Sequence, residues 1–390
     1  MLPFVDFSFF LDTIEQVCYS RSQWQRSCSK SLNCQSSLER LATSMSQIQH
    51  IRHFRPSLKQ ILIGSLGSGI GLLGLLFAVA AYVVEVITHP KKAMFGDSYT
   101  FSPYELDLPA EEVVFPPRYG DYQVRGWYIP RPGATTTVLV CPGYRTEMSN
   151  VLGMSALLWK AGHNVLAFEY YGHGKVVGRS VTLGFREIND FFGAVTYAKE
   201  RDPQARLGVV AYSMGAAVAI MSCARNSDVE ALVLDSSFAT HRSAVDYNFR
   251  HVFHLPPAPF VWIADYLLWW RAGYRFSQVE PLRDIARIAP RPILLIHSLK
   301  DSIVDPHDAS LLYVAAGEPK ELWFVPGVDH CGAYFADRVA YTTKVTSFFE
   351  RHLENSLRLH LVEQVPNGQV KTETTGSVSS HLDAHLPEAS

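Results

Sequence analysis

Residues 207–217 read LGVVAYSMGAA, and this stretch decides the architecture. Leu207–Ala211 is an uncharged run of the kind that forms a strand buried on both faces. Ala211-Tyr212-Ser213-Met214-Gly215 then sets a serine between small residues, and a helical pattern runs from Met214 to Arg225. A strand that passes straight into a helix through small-x-Ser-x-Gly makes a sharp, strained turn. That turn lifts the serine hydroxyl above the sheet, the geometry of a nucleophile elbow. Here alanine holds the first small position. The Met214 amide, at the start of the helix, is placed to face the oxyanion of a reacting carbonyl, where the helix dipole adds to the effect.

Strand-like runs recur on either side, at Thr137–Cys141, Asn164–Phe168, Ala231–Leu234, Ile293–Ile296 and Glu321–Val325. Helical patterns such as Glu187–Glu200 separate most of them. This alternation predicts an α/β domain with a mostly parallel central sheet and helices on both faces. Upstream, Glu112–Phe115 and Tyr122–Ile129 alternate like an antiparallel pair turning at Tyr119-Gly120-Asp121. Open sheets of this class bind ligands beyond the carboxyl ends of their strands, so polar residues at those ends are the candidates for chemistry.

Four positions qualify. Ser213 is the candidate nucleophile. After Thr137–Cys141, Pro142-Gly143-Tyr144 lets the backbone turn and present the Tyr144 amide as a second oxyanion donor beside that of Met214. After Ile293–Ile296 comes Asp301, the candidate acid, while Asp305 and Asp308 read as turn and N-cap residues. Asp235, which follows its own strand, is the rival acid and reads as a structural turn contact, because triads of this kind place the acid late. His330, in the loop Val325-Pro326-Gly327-Val328-Asp329-His330, is the candidate base, and His297 reads as support for the acid loop. A Ser213–Asp301–His330 set needs no metal and no cofactor.

These residues resemble the α/β-hydrolase superfamily over about Glu112 to Leu353, and within it the serine-aminopeptidase-like group of membrane-linked hydrolases. Tyr170-Tyr171-Gly172-His173-Gly174-Lys175 is similar to that group's D-x-R-G-H-G-x-S, with Tyr in place of Arg and Lys in place of Ser. Thr182-x-Gly184-x-x-Glu187-x-x-Asp190 also resembles its pattern. Arg291-Pro292-Ile293-Leu294-Leu295-Ile296-His297 is similar to its acid-strand lead-in. Where the family has His-Gly at the oxyanion strand, this chain has Pro142-Gly143, which keeps the backbone amide and loses the imidazole. The resemblance implies the α/β-hydrolase fold and acyl transfer through a serine. The superfamily also holds non-catalytic members, so a silent binding module is the alternative from another class.

Between Ser236 and Ile288 the sequence predicts a small helical cap, at about 241–288, dense in aromatic side chains. Tyr212, Phe253, Phe260, Trp262 and Tyr266 are the candidate substrate-binding residues. Half of that aromatic density is ordinary core, and the rest suits an apolar acyl pocket or a surface facing lipid. No acidic cluster suited to a peptide amino terminus is evident. The expected substrate is therefore a small-molecule acyl ester or thioester, with an aminopeptidase-like peptidase as the alternative.

Of the 390 residues, 47% are hydrophobic and 18% charged, which suggests a membrane segment beside a large core. Residues 61–84 read ILIGSLGSGIGLLGLLFAVAAYVV, without a charge, long enough to cross a bilayer. A transmembrane helix is expected over 59–88. A buried core helix and a cleaved signal peptide, for which Ala78-Val79-Ala80 is a possible site, are the competing readings. Gly67, Gly71 and Ala78 have a spacing compatible with helix pairing. Arg52, Arg55 and Lys59 precede the run, and Glu85, Lys91 and Lys92 close it. The balance leans towards a single-pass protein with its catalytic domain on the extracytoplasmic side.

Segment 1–58 is of uncertain order, and Met45 is an alternative start. The hydrolase domain is expected over 89–360 and a disordered tail over 361–390. The net charge is -2 and no basic stripe is present, so nucleic acid is not an expected partner. The six cysteines form no CxxC pair and no zinc spacing. Cys141 and Cys331 flank the oxyanion loop and the candidate base; they are read as unrelated small residues, with a redox pair as the alternative.

Overall fold

The computed structural model describes residues 58–89, 101–173, 180–252 and 254–354. The expectations for 1–57, for Gly174 and Lys175, for Phe253 and for the tail beyond 354 lie outside the described residues.

Eight strands form one sheet: β1 (Glu111–Phe115), β2 (Val124–Ile129), β3 (Thr136–Cys141), β4 (Asn164–Phe168), β5 (Arg206–Tyr212), β6 (Val229–Asp235), β7 (Ile293–Ser298) and β8 (Lys320–Val325). Their order is β1-β2-β4-β3-β5-β6-β7-β8. The first two strands run antiparallel, and β4, β3, β5, β6, β7 and β8 are mutually parallel. Register aligns the carboxyl ends: Cys141 pairs with Ala211, Tyr212 with Asp235, Asp235 with Ile296 and Ser298 with Val325. The loops that leave β3, β5, β7 and β8 therefore meet above one edge of the sheet.

The helices are α1 (Leu58–Thr88), α2 (Leu152–Lys160), α3 (Ile188–Arg201), α4 (Met214–Cys223), α5 (His241–His251), α6 (Phe260–Ala272), α7 (Pro281–Asp284), α8 (Pro306–Ala315), α9 (Ala333–Ala336) and α10 (Arg338–Phe349), with short 3-10 turns between some of them. One core lies on the sheet face that carries α3, α4 and α8, and a second lies on the face that carries α2 and α10. Every residue of β3 and β4 is buried, as the apolar runs Val138–Cys141 and Val165–Phe168 require of central strands. α4 is buried at every position, which the run Met214–Cys223, free of any charge, anticipates.

A third cluster joins α5 and α6 to the end of α1. Ala80, Val83, Val84 and Ile87 are buried there against Phe249, Val261 and Leu268. Burying each valine or isoleucine contributes about 1.5–3 kcal/mol. The Val181 amide donates to the Thr88 carbonyl at 2.7 Å, and Arg271 pairs with Glu85 at 3.0 Å. The larger compact unit begins at Leu72, inside α1. The uncharged run 61–84 of α1 carries no phase that marks which of its turns dock on the cap. α1 is long and apolar enough to cross a membrane.

Candidate active site

Ser213 follows β5 and caps α4 with φ 52° and ψ -119°. A non-glycine residue at positive φ stores strain, and here the strain turns the side chain up from the sheet edge. Two neighbouring glycines leave the room. A Cβ on Gly215 would stand 2.4 Å from the Pro142 carbonyl oxygen, and one on Gly143 would stand 3.2 Å from the Ser213 Cβ. The turn after β5 and the turn after β3 are thus packed backbone to backbone. This fixes Ser213 beside Tyr144. The Met214 amide heads α4 without an intrahelical partner. Among the described residues, the Tyr144 amide likewise has no acceptor.

The Ser213 hydroxyl donates to His330 Nε2 at 2.8 Å, and His330 Nδ1 donates to Asp301 Oδ2 at 2.7 Å. The other Asp301 oxygen accepts the Ile303 and Val304 amides at 2.9 and 2.8 Å. His297, wholly buried, stands 3.3 Å from Asp301 Oδ2 and fixes the carboxylate from behind. The His330 loop is held in turn by Asp329, which accepts the Ser302 and His330 amides at 2.8 and 2.7 Å.

Burial opposes the charge on Asp301, but hydrogen bonds from His297 and His330 outweigh it and hold the carboxyl below the usual carboxylate range. Burial would lower His330, yet the Cys331 sulfur and the Asp301 carboxylate raise it above its ordinary value. Burial also pushes the Cys331 thiol up, so that sulfur is neutral near pH 7 and Asp301 is the partner that acts there.

Asp235 does not face His330. Its carboxylate accepts from Tyr341 Oη at 2.8 Å and Ser236 Oγ at 2.9 Å, and its backbone oxygen accepts the Ser213 amide at 2.8 Å. It supports the elbow from below, in keeping with its reading as a structural contact. Asp305 caps α8, whereas Asp308 holds the Ala239 amide and the Ser243 hydroxyl. Cys141 and Cys331 are free thiols, with no bond between them.

Two cavities meet at Ser213, Tyr144 and His330. The larger, about 460 Å³, runs under α5 and is lined by Phe238, Val245, Phe249 and Val304, with Val83, Val86 and Ile87 of α1 as one wall. The smaller, about 320 Å³, lies beside α9 and is lined by Thr146, Asn150, Met154, Tyr212 and Tyr334. Tyr212 thus touches the smaller cavity. Phe260, Trp262 and Tyr266 line neither. Phe260 is buried and stacks on Phe249 with ring centroids 5.6 Å apart, one layer behind the cavity. Trp262 and Tyr266 are 64% and 55% exposed, because they sit on the face of α6 opposite Val261, Ala264 and Leu268. Phe253 lies outside the described residues. The α1 residues were not recognisable from sequence as lining, since nothing distinguishes Val83, Val86 and Ile87 from the other apolar residues of the helix.

The resemblance segment proves to be scaffolding around this site. Glu187 accepts the Thr182 and Gly184 amides at 2.7 and 2.9 Å, and Asp190 accepts from Tyr122 Oη at 2.6 Å and the Tyr171 amide at 2.8 Å.

Residues 133–273 match the family model described as serine aminopeptidase, S33. An uncharacterized protein of Bacillus subtilis, YqkD, is 27% identical over 303 residues, covering 75% of this chain and 98% of the relative. An uncharacterized protein of Mycobacterium tuberculosis is 30% identical over 231 residues, 57% of this chain and 73% of the relative. The chain belongs to the α/β-hydrolase superfamily. Solved α/β hydrolases share the fold. The esterase Pf2001 of Pyrococcus furiosus superimposes with a TM-score of 0.56 at 23% identity, over 68% of this chain and 99% of its own. An acylaminoacyl peptidase of Pyrococcus horikoshii gives 0.50 at 17% identity, over 64% of this chain and 43% of its own.

Proposed function

We propose that this α/β hydrolase is a membrane-anchored serine hydrolase that cleaves carboxylic ester or thioester bonds of apolar acyl substrates. The observation that carries the reading is the continuous Ser213–His330–Asp301 hydrogen-bond chain, 2.8 and 2.7 Å long, opening on an apolar cavity. In this reading His330 takes the Ser213 proton as Oγ attacks the carbonyl, and Asp301 holds the imidazole and balances its charge. The Met214 and Tyr144 amides stabilise the oxyanion, each by about 3 kcal/mol. His330 then passes its proton to the departing alcohol or thiol. Water, activated by the same imidazole, releases the acid from the acyl-enzyme.

The apolar cavity suits the acyl chain, and the smaller one, with Thr146 and Asn150, suits the leaving group. Among the described residues, no Asp or Glu lines either cavity, which supports ester over aminopeptidase chemistry, since a peptide amino terminus would need a carboxylate. The anchor is α1. The cations ahead of it favour an extracytoplasmic catalytic domain, to be tested by protease access from outside intact cells.

The main test is hydrolysis of p-nitrophenyl acyl esters, with fluorophosphonate labelling in parallel. Labelling at Ser213 is expected, together with a turnover about six orders of magnitude lower in Ser213→Ala. A protein that neither labels nor hydrolyses any ester in the series would favour the silent binding module.

A further inference from the structure

The end of α1 does more than attach the catalytic unit. Val83, Val86 and Ile87 line the larger cavity opposite Ala244, Val245 and Phe249 of α5. The wall is tied to the site itself, because Tyr144, whose amide is the proposed second oxyanion donor, donates its hydroxyl to the Val86 carbonyl. Thr88 closes the helix with Oγ1 on the Val84 carbonyl at 2.7 Å. Away from Ser213 the cavity lining is apolar apart from Arg145 and Asn248.

Helix length leaves room for both roles. At 1.5 Å per residue the 31 residues of α1 extend roughly 46 Å. A hydrocarbon core of ~30 Å takes about 20 of them. The remaining 11 or so, Ala78 to Thr88, include the turns that pack on α5 and α6. The outer face of α6 fits the same level. Trp262, Tyr266, Trp269 and Trp270 follow each other at helical spacing and are 48–70% exposed, on a helix joined to α1 through Arg271 and Glu85. Exposed tryptophan and tyrosine beside a spanning helix are what a bilayer interface selects.

We propose that the last three turns of α1 form a wall of the acyl site and that the substrate is a bilayer-resident acyl lipid, whose chain passes along α1 to reach Ser213. The proposal rests on the serine-hydrolase reading above and narrows it to lipid esters. At ~30 Å³ per water-sized group, about 460 Å³ holds roughly 15 such groups, room for an acyl chain of about 12 carbons or more.

The test uses the full chain in lipid nanodiscs. Photo-crosslinking with diazirine-bearing palmitic acid should label the peptide that contains Val83–Thr88, in the native protein and in Ser213→Ala alike. Val86→Trp should lower the ratio of kcat/KM for the palmitoyl over the acetyl p-nitrophenyl ester about tenfold or more. Leu73→Trp, on an exposed position of α1, should leave the ratio unchanged. Label confined to other peptides, or a ratio that Val86→Trp does not alter, overturns the proposal. Crosslinking to α1 in a protein without esterase activity would instead remove the catalytic reading and leave the acyl site standing.

Discussion

Gly215→Ala separates the geometry of the elbow from the stability of the fold. The new methyl would lie 2.4 Å from the Pro142 carbonyl oxygen and 2.8 Å from that of Cys141, both backbone atoms. Ordinary contact begins near ~3.4 Å, so one of the two turns must retreat by about 1 Å. The group that moves is the peptide just ahead of Gly143 and Tyr144, which carries the proposed second oxyanion donor. A misplacement of about 1 Å costs on the order of 100-fold in rate, or roughly 2.7 kcal/mol of transition-state stabilisation. Stability should respond less. Overpacking costs about 1–3 kcal/mol, but alanine is favoured over glycine in a helix by about 1 kcal/mol, so the two terms partly cancel. The assay is kcat/KM on a p-nitrophenyl ester, with thermal unfolding as the folding control. Gly74→Ala is the reference, since a Cβ there meets nothing within 4 Å. A folded Gly215→Ala protein with kcat/KM within twofold of the native value would refute the backbone-to-backbone account of the site.

Asp301→Asn should reduce kcat by about four orders of magnitude, because the imidazole loses the partner that fixes its tautomer. Asp235→Asn should cost far less, and the reverse ranking would transfer the acid role to Asp235. His330 must be neutral to accept the serine proton, and its pKa is raised; activity is therefore lost as the pH falls through a midpoint above the ordinary ~6.5. Asp301→Asn should move that midpoint downward, and a profile centred below pH 6 in the native protein would contradict the assignment. Ile87→Asp should destabilise the catalytic unit by about 3 kcal/mol or more, measured by urea unfolding in detergent, since it places an unpaired charge against α6.

Much of this was legible because strand and elbow signals are local. Asn164–Phe168 forms a strand over those same residues, and the run from Leu207 to Ala217 turns at Ser213 as its small residues require. The choice between Asp301 and Asp235 was harder, since both follow buried strands. Chain order favours Asp301, and the approach of the β8 loop brings His330 to 2.7 Å from it. The cap was read by the density of its aromatic residues and not by their phase. Trp262 and Tyr266 are four apart and share the outward face of α6, while Phe249 on α5 faces inward. The docked end of α1 left no mark in the sequence: solvation by lipid and burial against protein select the same valines and isoleucines.

That docking constrains how the chain can change. A tether that only holds an enzyme at a surface can be exchanged for any other of equal length, by recombination or by an engineer. Here Ala80, Val83, Val84 and Ile87 are committed to the helices above them, and the Val86 carbonyl to Tyr144. α1 and the hydrolase unit packed on it are therefore inherited as one piece. A version trimmed to a conventional soluble domain would lose a side of its own pocket and report the selectivity of a different enzyme.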